Sequence, residues 1–329
     1  MGISVVYITC RNDPKFDWFY YSFINQLIEF KYNLDDVEIV IVDYYYQFDD
    51  RMLERGEYYK GIIEGSNLPQ CRYLIVPPKP TPWQGKYKIT ENIYACTANA
   101  RNTGIIYAKN DYIFFVDDLS VLCENFVYYL LEAHRNNFTI AFGYIKLNKL
   151  IVDKGKIIEK DGLPSGVDHR LDIYKEKKTH SMPGGHVYGF FAACKDILYK
   201  VNGYDEITSG SGGEDYNIGI RIEKMGENLY YNSNCIIYQM DKNLINENSI
   251  YTGIDPLIDK DLYYSTLEKY NIRCRISHNR YDISHLILDI TLKSREYWTI
   301  GNDYNIEELN KKEVKDFKID FPKDLKRLD

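Results

Sequence analysis

The sequence predicts an α/β fold, a mainly parallel central sheet with helices on both faces. Three observations carry this. Short β-branched and apolar runs at 3–8, 37–42 and 112–116 alternate with helix-length segments from the first residues onward. The runs are apolar nearly throughout, as strands buried on both faces are. Each ends in polar or acidic residues: Thr9 and Arg11, Asp43, and Asp117-Asp118. In open sheets of this kind, ligands bind at the carboxyl ends of the strands.

The elements follow in order. Residues 3–8 (ISVVYI) read as the first strand, and 9–14 (TCRNDP) as the loop that leaves it. Residues 16–31 carry apolar and aromatic side chains at helical spacing. Residues 37–42 (VEIVIV) are the second strand. Pro69, Pro77, Pro78, Pro80 and Pro82 predict a long irregular connection over 66–88. Residues 91–108 read as a helix packed through Ile93, Ala98, Ile105 and Ile106, and the strand 112–116 follows it. Beyond the acidic pair the pattern predicts a helix over 121–137 and two strands within 138–160. A polar, Gly-containing loop over 161–186 and a strand over 187–193 come next. A helix over 214–226, closed by Gly226, and a short strand at 235–239 complete the series. The region from about Asp255 is less patterned, and 311–329 is highly charged. The expected division is a domain over 1–250 and a C-terminal extension over 251–329. The extension is expected to serve acceptor binding or self-association into a homo-oligomer.

A chain of 329 residues buries a large core. A net charge of -7 argues against a nucleic-acid partner held through phosphate contacts. The 32 tyrosines accompany abundant Ile, Asn and Lys and are read as compositional bias rather than a binding surface. The seven cysteines are scattered and form no CxxC pair, which predicts buried free thiols in a reducing compartment. No apolar run reaches membrane-spanning length, and the first strand starts without a charged leader. Met1-Gly2 lacks the Ser or Thr that myristoylation wants, since Val6 stands there. The expectation is a soluble, cytoplasmic protein.

Two acidic sites carry the chemistry. Asp117-Asp118 closes a buried strand, and adjacent carboxylates there repel unless a cation is present. Hard oxygen ligands suit Mn²⁺ or Mg²⁺, either of which can bridge a diphosphate. The competing reading is a turn whose aspartate caps a helix starting near residue 120. Glu214-Asp215 follows Gly210-Ser211-Gly212-Gly213 and opens a helix, whose dipole keeps a carboxylate ionised and competent as a general base. Its competing reading is simple first-turn capping. Arg101, on the helix before the acidic strand, is placed to clamp a phosphate or carboxylate, or else packs its stem on the surface. Asp43 is placed to accept from a base or ribose, or to serve an ordinary turn. Gly184-Gly185-His186 allows backbone to approach a sugar or phosphate. His186, His278 and His285 are candidate metal ligands, and Trp83 a candidate sugar platform, although a lone residue of either type is more often structural.

These residues resemble the family 2 glycosyltransferases, which have the GT-A fold. The resemblance runs from Ile3 to about Gln239. It rests on Ala100-Arg101-Asn102-Thr103-Gly104 leading to Phe115-Val116-Asp117-Asp118, and on Val201-Asn202-Gly203-Tyr204-Asp205-Glu206 leading to Gly213-Glu214-Asp215. The second stretch is similar to the family's signature of paired glycines, an aromatic and Asp-Glu, followed by Gly-Glu-Asp. The resemblance implies a GT-A glycosyltransferase domain and a role for each matching position. Thr9 and Arg11 would border the nucleotide. Asp43 would bind uracil or ribose, and Arg101 would lie near the nucleoside or diphosphate. Asp117 would contact the ribose or the metal shell, and Asp118 would ligate Mn²⁺ or Mg²⁺. Gly185 and His186 would line the donor sugar. Asp215, ahead of Glu214, would deprotonate the acceptor. Two positions depart from the family: Leu119 replaces a third aspartate, and Tyr238-Gln239-Met240-Asp241 stands where a metal-binding histidine is common.

The implied activity is metal-dependent transfer of a hexose (glucose, galactose or an N-acetylhexosamine) from a UDP-sugar to a hydroxyl of a glycan or glycoprotein. A sugar-nucleotide nucleotidyltransferase would want a glycine-rich loop after the first strand, and 9–14 has no glycine. The same absence argues against a dinucleotide-binding dehydrogenase. A catalytically inactive nucleotide-sugar-binding protein is the remaining alternative. Retention of both acidic sites argues against it.

Overall fold

The computed structural model describes residues 2–47, 49–79, 96–206, 213–241, 299, 302 and 304–313. Trp83, Ile93, His278, His285, Cys274 and the glycine run 210–212 lie outside them. The strands are β1 (Ile3–Thr9), β2 (Val37–Asp43), β3 (Arg72–Val76), β4 (Tyr112–Asp117), β5 (Ser120–Leu122), β6 (Thr139–Leu147), β7 (Leu150–Asp153), β8 (Lys156–Lys160), β9 (Pro164–Val167), β10 (Thr179–Met182), β11 (Phe190–Cys194) and β12 (Leu229–Met240). The helices are α1 (Phe16–Glu29), α2 (Asp49–Gly65), α3 (Thr97–Tyr107), α4 (Phe126–Arg135), α5 (Arg170–Ile173), α6 (Lys195–Lys200), α7 (Glu214–Lys224) and α8 (Ile306–Lys311).

One large sheet runs in the order β10-β12-β6-β11-β4-β1-β2-β3, with β5 paired to β12 and β9 to β6. The neighbours β3-β2-β1-β4 are all parallel, and β12 is parallel to β6. The strand β11 enters antiparallel between β4 and β6. The sheet is therefore mainly parallel, as expected. Alternate residues of β1 feed two separate cores. Val6 and Ile8 pack with Ile105 and Ile106 of α3 and Ile218 and Ile222 of α7. Ile3, Val5 and Tyr7 pack with Phe16, Phe19 and Phe23 of α1, Tyr59 of α2 and Phe126 of α4. Both faces are thus covered, which explains the uninterrupted apolar runs.

Several expectations are corrected. The connection 66–88 contains β3, a half-exposed edge strand. The segment 121–137 does not start as a helix: β5 comes first, and α4 begins only at Phe126. No helix therefore starts near residue 120 for Asp117-Asp118 to cap. Residues 138–160 hold three strands, β6 to β8, rather than two. The supposed loop 161–186 holds β9, α5 and β10. The last strand starts at Leu229, not Cys235.

Part of the C-terminal region belongs to this same body. Ile306 is fully buried in the first core. Asn310 Nδ2 donates to the carbonyls of Ile105, Ile106 and Ala108, at 3.0, 3.0 and 2.7 Å. It thereby satisfies orphan acceptors at the end of α3. The six described cysteines are thiols, not disulfides. Among the described residues no helix is long and apolar enough to cross a membrane.

Candidate active site

The predicted edge exists. Thr9 sits opposite Asp43 in the β1–β2 register, and Ile8 sits opposite Asp117 in the β1–β4 register. Thr9 Oγ1 donates to Asp118 Oδ2 at 2.8 Å. Arg11 Nε lies 3.4 Å from Asp118 Oδ1. The Asp118 backbone N–H donates to Ile8 O at 3.1 Å, and the Asp118 carbonyl accepts from Gln239 Nε2 at 3.1 Å. Gln239 therefore braces the acidic turn through its backbone. Leu119, in place of a third aspartate, is fully buried with a left-handed backbone (φ 58°) and points no ligand at the site.

Asp43 is at the edge but fully enclosed. Its Oδ2 accepts from Arg55 Nε at 2.6 Å and Tyr59 Oη at 2.8 Å, and its Oδ1 from the Tyr45 N–H at 2.8 Å. Burial pushes its pKa up, and Arg55 opposes that rise. Arg55 also donates to the Asn12 carbonyl at 2.5 Å, so this knot fixes the loop that carries Arg11. Arg55 and Tyr59 stand one helical turn apart on α2, a spacing that sequence reading passed over.

Arg101 joins the two acidic sites. The helix α3 lies close against β1 because Gly104 leaves no side chain between it and Val6. Arg101 is thereby brought to the sheet edge, where its side chain is only 3% exposed. Its Nη2 donates to Asp117 Oδ1 at 3.2 Å. Its Nη1 pairs closely with Asp215 Oδ1 and lies 3.6 Å from Glu214 Oε1. The guanidinium stands over the Tyr204 ring, 5.3 Å from its centroid.

Glu214 and Asp215 form the first turn of α7, as expected. Their environments differ. Glu214 accepts from Thr97 Oγ1 at 2.5 Å. Asp215 Oδ2 accepts from the Gly189 N–H at 2.9 Å, and its side chain remains 16% exposed. Burial and the Glu214 charge push Asp215 up to about 7, against the opposing pull of Arg101 and the Gly189 hydrogen bond. This is a carboxylate poised near neutrality with a route to solvent, which suits a general base. Thr97 and Gly189 carry no motif, so their roles were not readable from the sequence.

The turn 184–186 lies against α7: a side chain at Gly185 would meet the Tyr216 ring at 2.9 Å. His186 Nδ1 is hydrogen-bonded to Tyr174 Oη at 2.9 Å, and no hydrogen bond or ion pair joins its side chain to Asp117 or Asp118. Burial, His169 and Arg170 lower its pKa. Among the described residues no group of three or more His, Cys, Asp or Glu is arranged to hold a metal.

The signature residues before α7 form a second knot. Glu206 is fully buried, and accepts from Lys79 Nζ at 2.7 Å, Asn102 Nδ2 at 3.0 Å and Tyr304 Oη at 2.6 Å. Asn202 holds Thr299 and the backbone of Tyr304 and Ile306. Arg101 and Asn102 thus divide the work of one helix turn between the acidic cluster and this scaffold.

No protein-family model matches the chain, and no curated protein does. Among solved structures it is similar to S. aureus TarS residues 1–349 in complex with UDP-GlcNAc. That match has a TM-score of 0.51 and 11% identity, over 87% of this chain and 70% of that one. The same protein with UDP matches at 0.46, and GalNAc-T7 with UDP, GalNAc and Mn²⁺ at 0.47 and 16% identity, over 82% of this chain and 48% of that one. The likeness shows the fold: this chain has the GT-A fold.

Proposed function

We propose that the protein is a glycosyltransferase that moves a hexose from a UDP-sugar to a hydroxyl of a glycan or glycoprotein acceptor. One observation carries the reading. A nucleotide-site edge (Thr9, Arg11, Asp117, Asp118) and a carboxylate poised near neutrality (Asp215) are parts of one cluster, joined by Arg101. The GT-A fold, which TarS presents with UDP-GlcNAc bound, supports it.

Arg11 is the group that faces the donor's diphosphate. It is 5% exposed, and none of its guanidinium nitrogens hydrogen-bonds to protein among the described residues. A buried guanidinium with unspent donors suits a bidentate anion. Mn²⁺ or Mg²⁺ fits the hard oxygens of Asp117 and Asp118. Asp117 is 23% exposed, and its Oδ2 has no hydrogen-bond partner among the described residues. A cation bound there would neutralise charge developing on the leaving diphosphate, with water and the diphosphate completing its shell. Asp215 takes the acceptor proton, and the Gly189 N–H keeps its second oxygen oriented. Gly185 and His186 would border the donor sugar, and Asp43 supports the nucleotide pocket from beneath through Arg55. The reduced cysteines suit a cytoplasmic setting.

A donor screen for UDP release, run with Mn²⁺ and with chelator, tests the reading. One UDP-sugar is expected to turn over, and only with metal. Asp118→Ala is expected to weaken UDP binding at least tenfold and remove turnover. UDP binding unchanged in that variant would overturn the donor-site assignment.

A further inference from the structure

We propose that Arg101 is a positioning residue, a buried cross-link that holds the base Asp215 and the donor-site carboxylate Asp117 on one cation. It is not a clamp for the diphosphate. The inference rests on the glycosyltransferase reading above.

Enclosure and partners carry it. A phosphate can be gripped only by a guanidinium that it can reach. Nη2 of Arg101 gives a hydrogen bond to Asp117 and Nη1 gives one to Asp215, with Glu214 beside it. Nε is buried away from solvent. At 3% exposure the side chain has no open face, and Tyr204 covers the guanidinium. Arg11, at the same edge, pairs with one carboxylate, Asp118, where Arg101 pairs with three.

The three carboxylates come from elements far apart in sequence, β4 and the first turn of α7. Without a shared cation they would repel across the site. With it, the helix carrying the base is located against the strand carrying the donor ligands. The groups facing Asp215 are Arg101 from α3, Asp117 from β4, Glu214 from its own helix, the Gly189 N–H, Tyr204, and Tyr144 from β6. Among the described residues Arg101 is the one cation that faces it, and its charge opposes protonation of Asp215.

The test uses the full chain with Arg101→Gln and Arg101→Lys, reading UDP affinity by calorimetry and the pH profile of turnover. Arg101→Gln is expected to move the acid limb of kcat/KM to higher pH by a unit or more, with UDP affinity changed less than about threefold. Arg101→Lys keeps the charge but cannot span both carboxylates. It is expected to keep the acid limb in place and to lose kcat at least tenfold. If Arg101→Gln does not fold, the lysine variant alone decides. Wild-type kcat in Arg101→Lys overturns the inference, as does UDP affinity falling as far as turnover does in either variant. Failure of the wild-type protein to bind UDP at all would instead overturn the glycosyltransferase reading.

Discussion

Asp215→Asn is expected to lower sugar transfer by about 10²–10⁴-fold, the usual contribution of a general base. UDP affinity should stay within a few-fold of wild type. The substitution keeps the shape of the side chain and its hydrogen bond from the Gly189 N–H. Arg101 keeps Asp117 and Glu214 as partners. What is lost is the ability to take a proton. The pH dependence follows from the raised carboxyl. A base must be ionised to act, and Asp215 sits at about 7, so below that value it is increasingly protonated. kcat/KM of the wild type should therefore rise with pH through about 7 and level off above it. Glu214→Gln is the matched control. Its carboxylate is engaged by Thr97 and Arg101, and it should cost much less. Transfer at near the wild-type rate by Asp215→Asn would remove Asp215 as the base. A larger loss in Glu214→Gln would transfer the role to Glu214.

The polar edge of the sheet was legible because strands buried on both faces have little choice of residue. Their apolar runs mark their own ends, and Thr9, Arg11, Asp43, Asp117 and Asp118 follow from that. What was not legible depends on partners distant in sequence. Arg101 reads as a phosphate clamp until α7, more than a hundred residues on, brings Asp215 to its other nitrogen. Asp43 reads as an open acceptor until Arg55 and Tyr59 are seen to spend it. The edge strand β3 went unseen because prolines follow it and only Val76 is fully buried. In α2 the packing face is a narrow line of Arg55, Tyr59 and Ile63 among charged residues, too sparse to stand out. Glu206 shows the limit of a motif: the position is recognisable, yet its carboxylate is a buried acceptor for Lys79, Asn102 and Tyr304.

The segment 161–186 failed as a loop for a related reason, and it yields the largest expected effect on stability. Arg170→Met should cost about 3–5 kcal/mol, because it leaves a buried charge without its partner. Arg170 and Asp168 are both fully buried. Arg170 Nη2 donates to Asp168 Oδ2 at 2.8 Å, and its Nε reaches both Asp168 oxygens at 3.0 Å. The same guanidinium donates to the carbonyls of Phe142, His186 and Tyr188, at 2.9, 2.7 and 3.1 Å. It also lies 3.8 Å from the Tyr188 ring centroid. One cation thus orders two neighbouring stretches of polar backbone that no hydrophobic pattern specifies. The second of them runs directly into Gly189, which holds Asp215. The variant should therefore lose activity as well as stability, with kcat falling even under conditions where it remains folded. Urea unfolding of Arg170→Met beside Asp168→Asn/Arg170→Met separates the two components. Removing the stranded charge should restore part of the stability, because an unpaired buried carboxylate costs more than a neutral amide. It should not restore kcat, since the carbonyls of His186 and Tyr188 still lack their donor. A loss below about 1 kcal/mol in the single variant would place this pair among exposed ion pairs in energetic terms. The order of the loop beside Asp215 would then need another source.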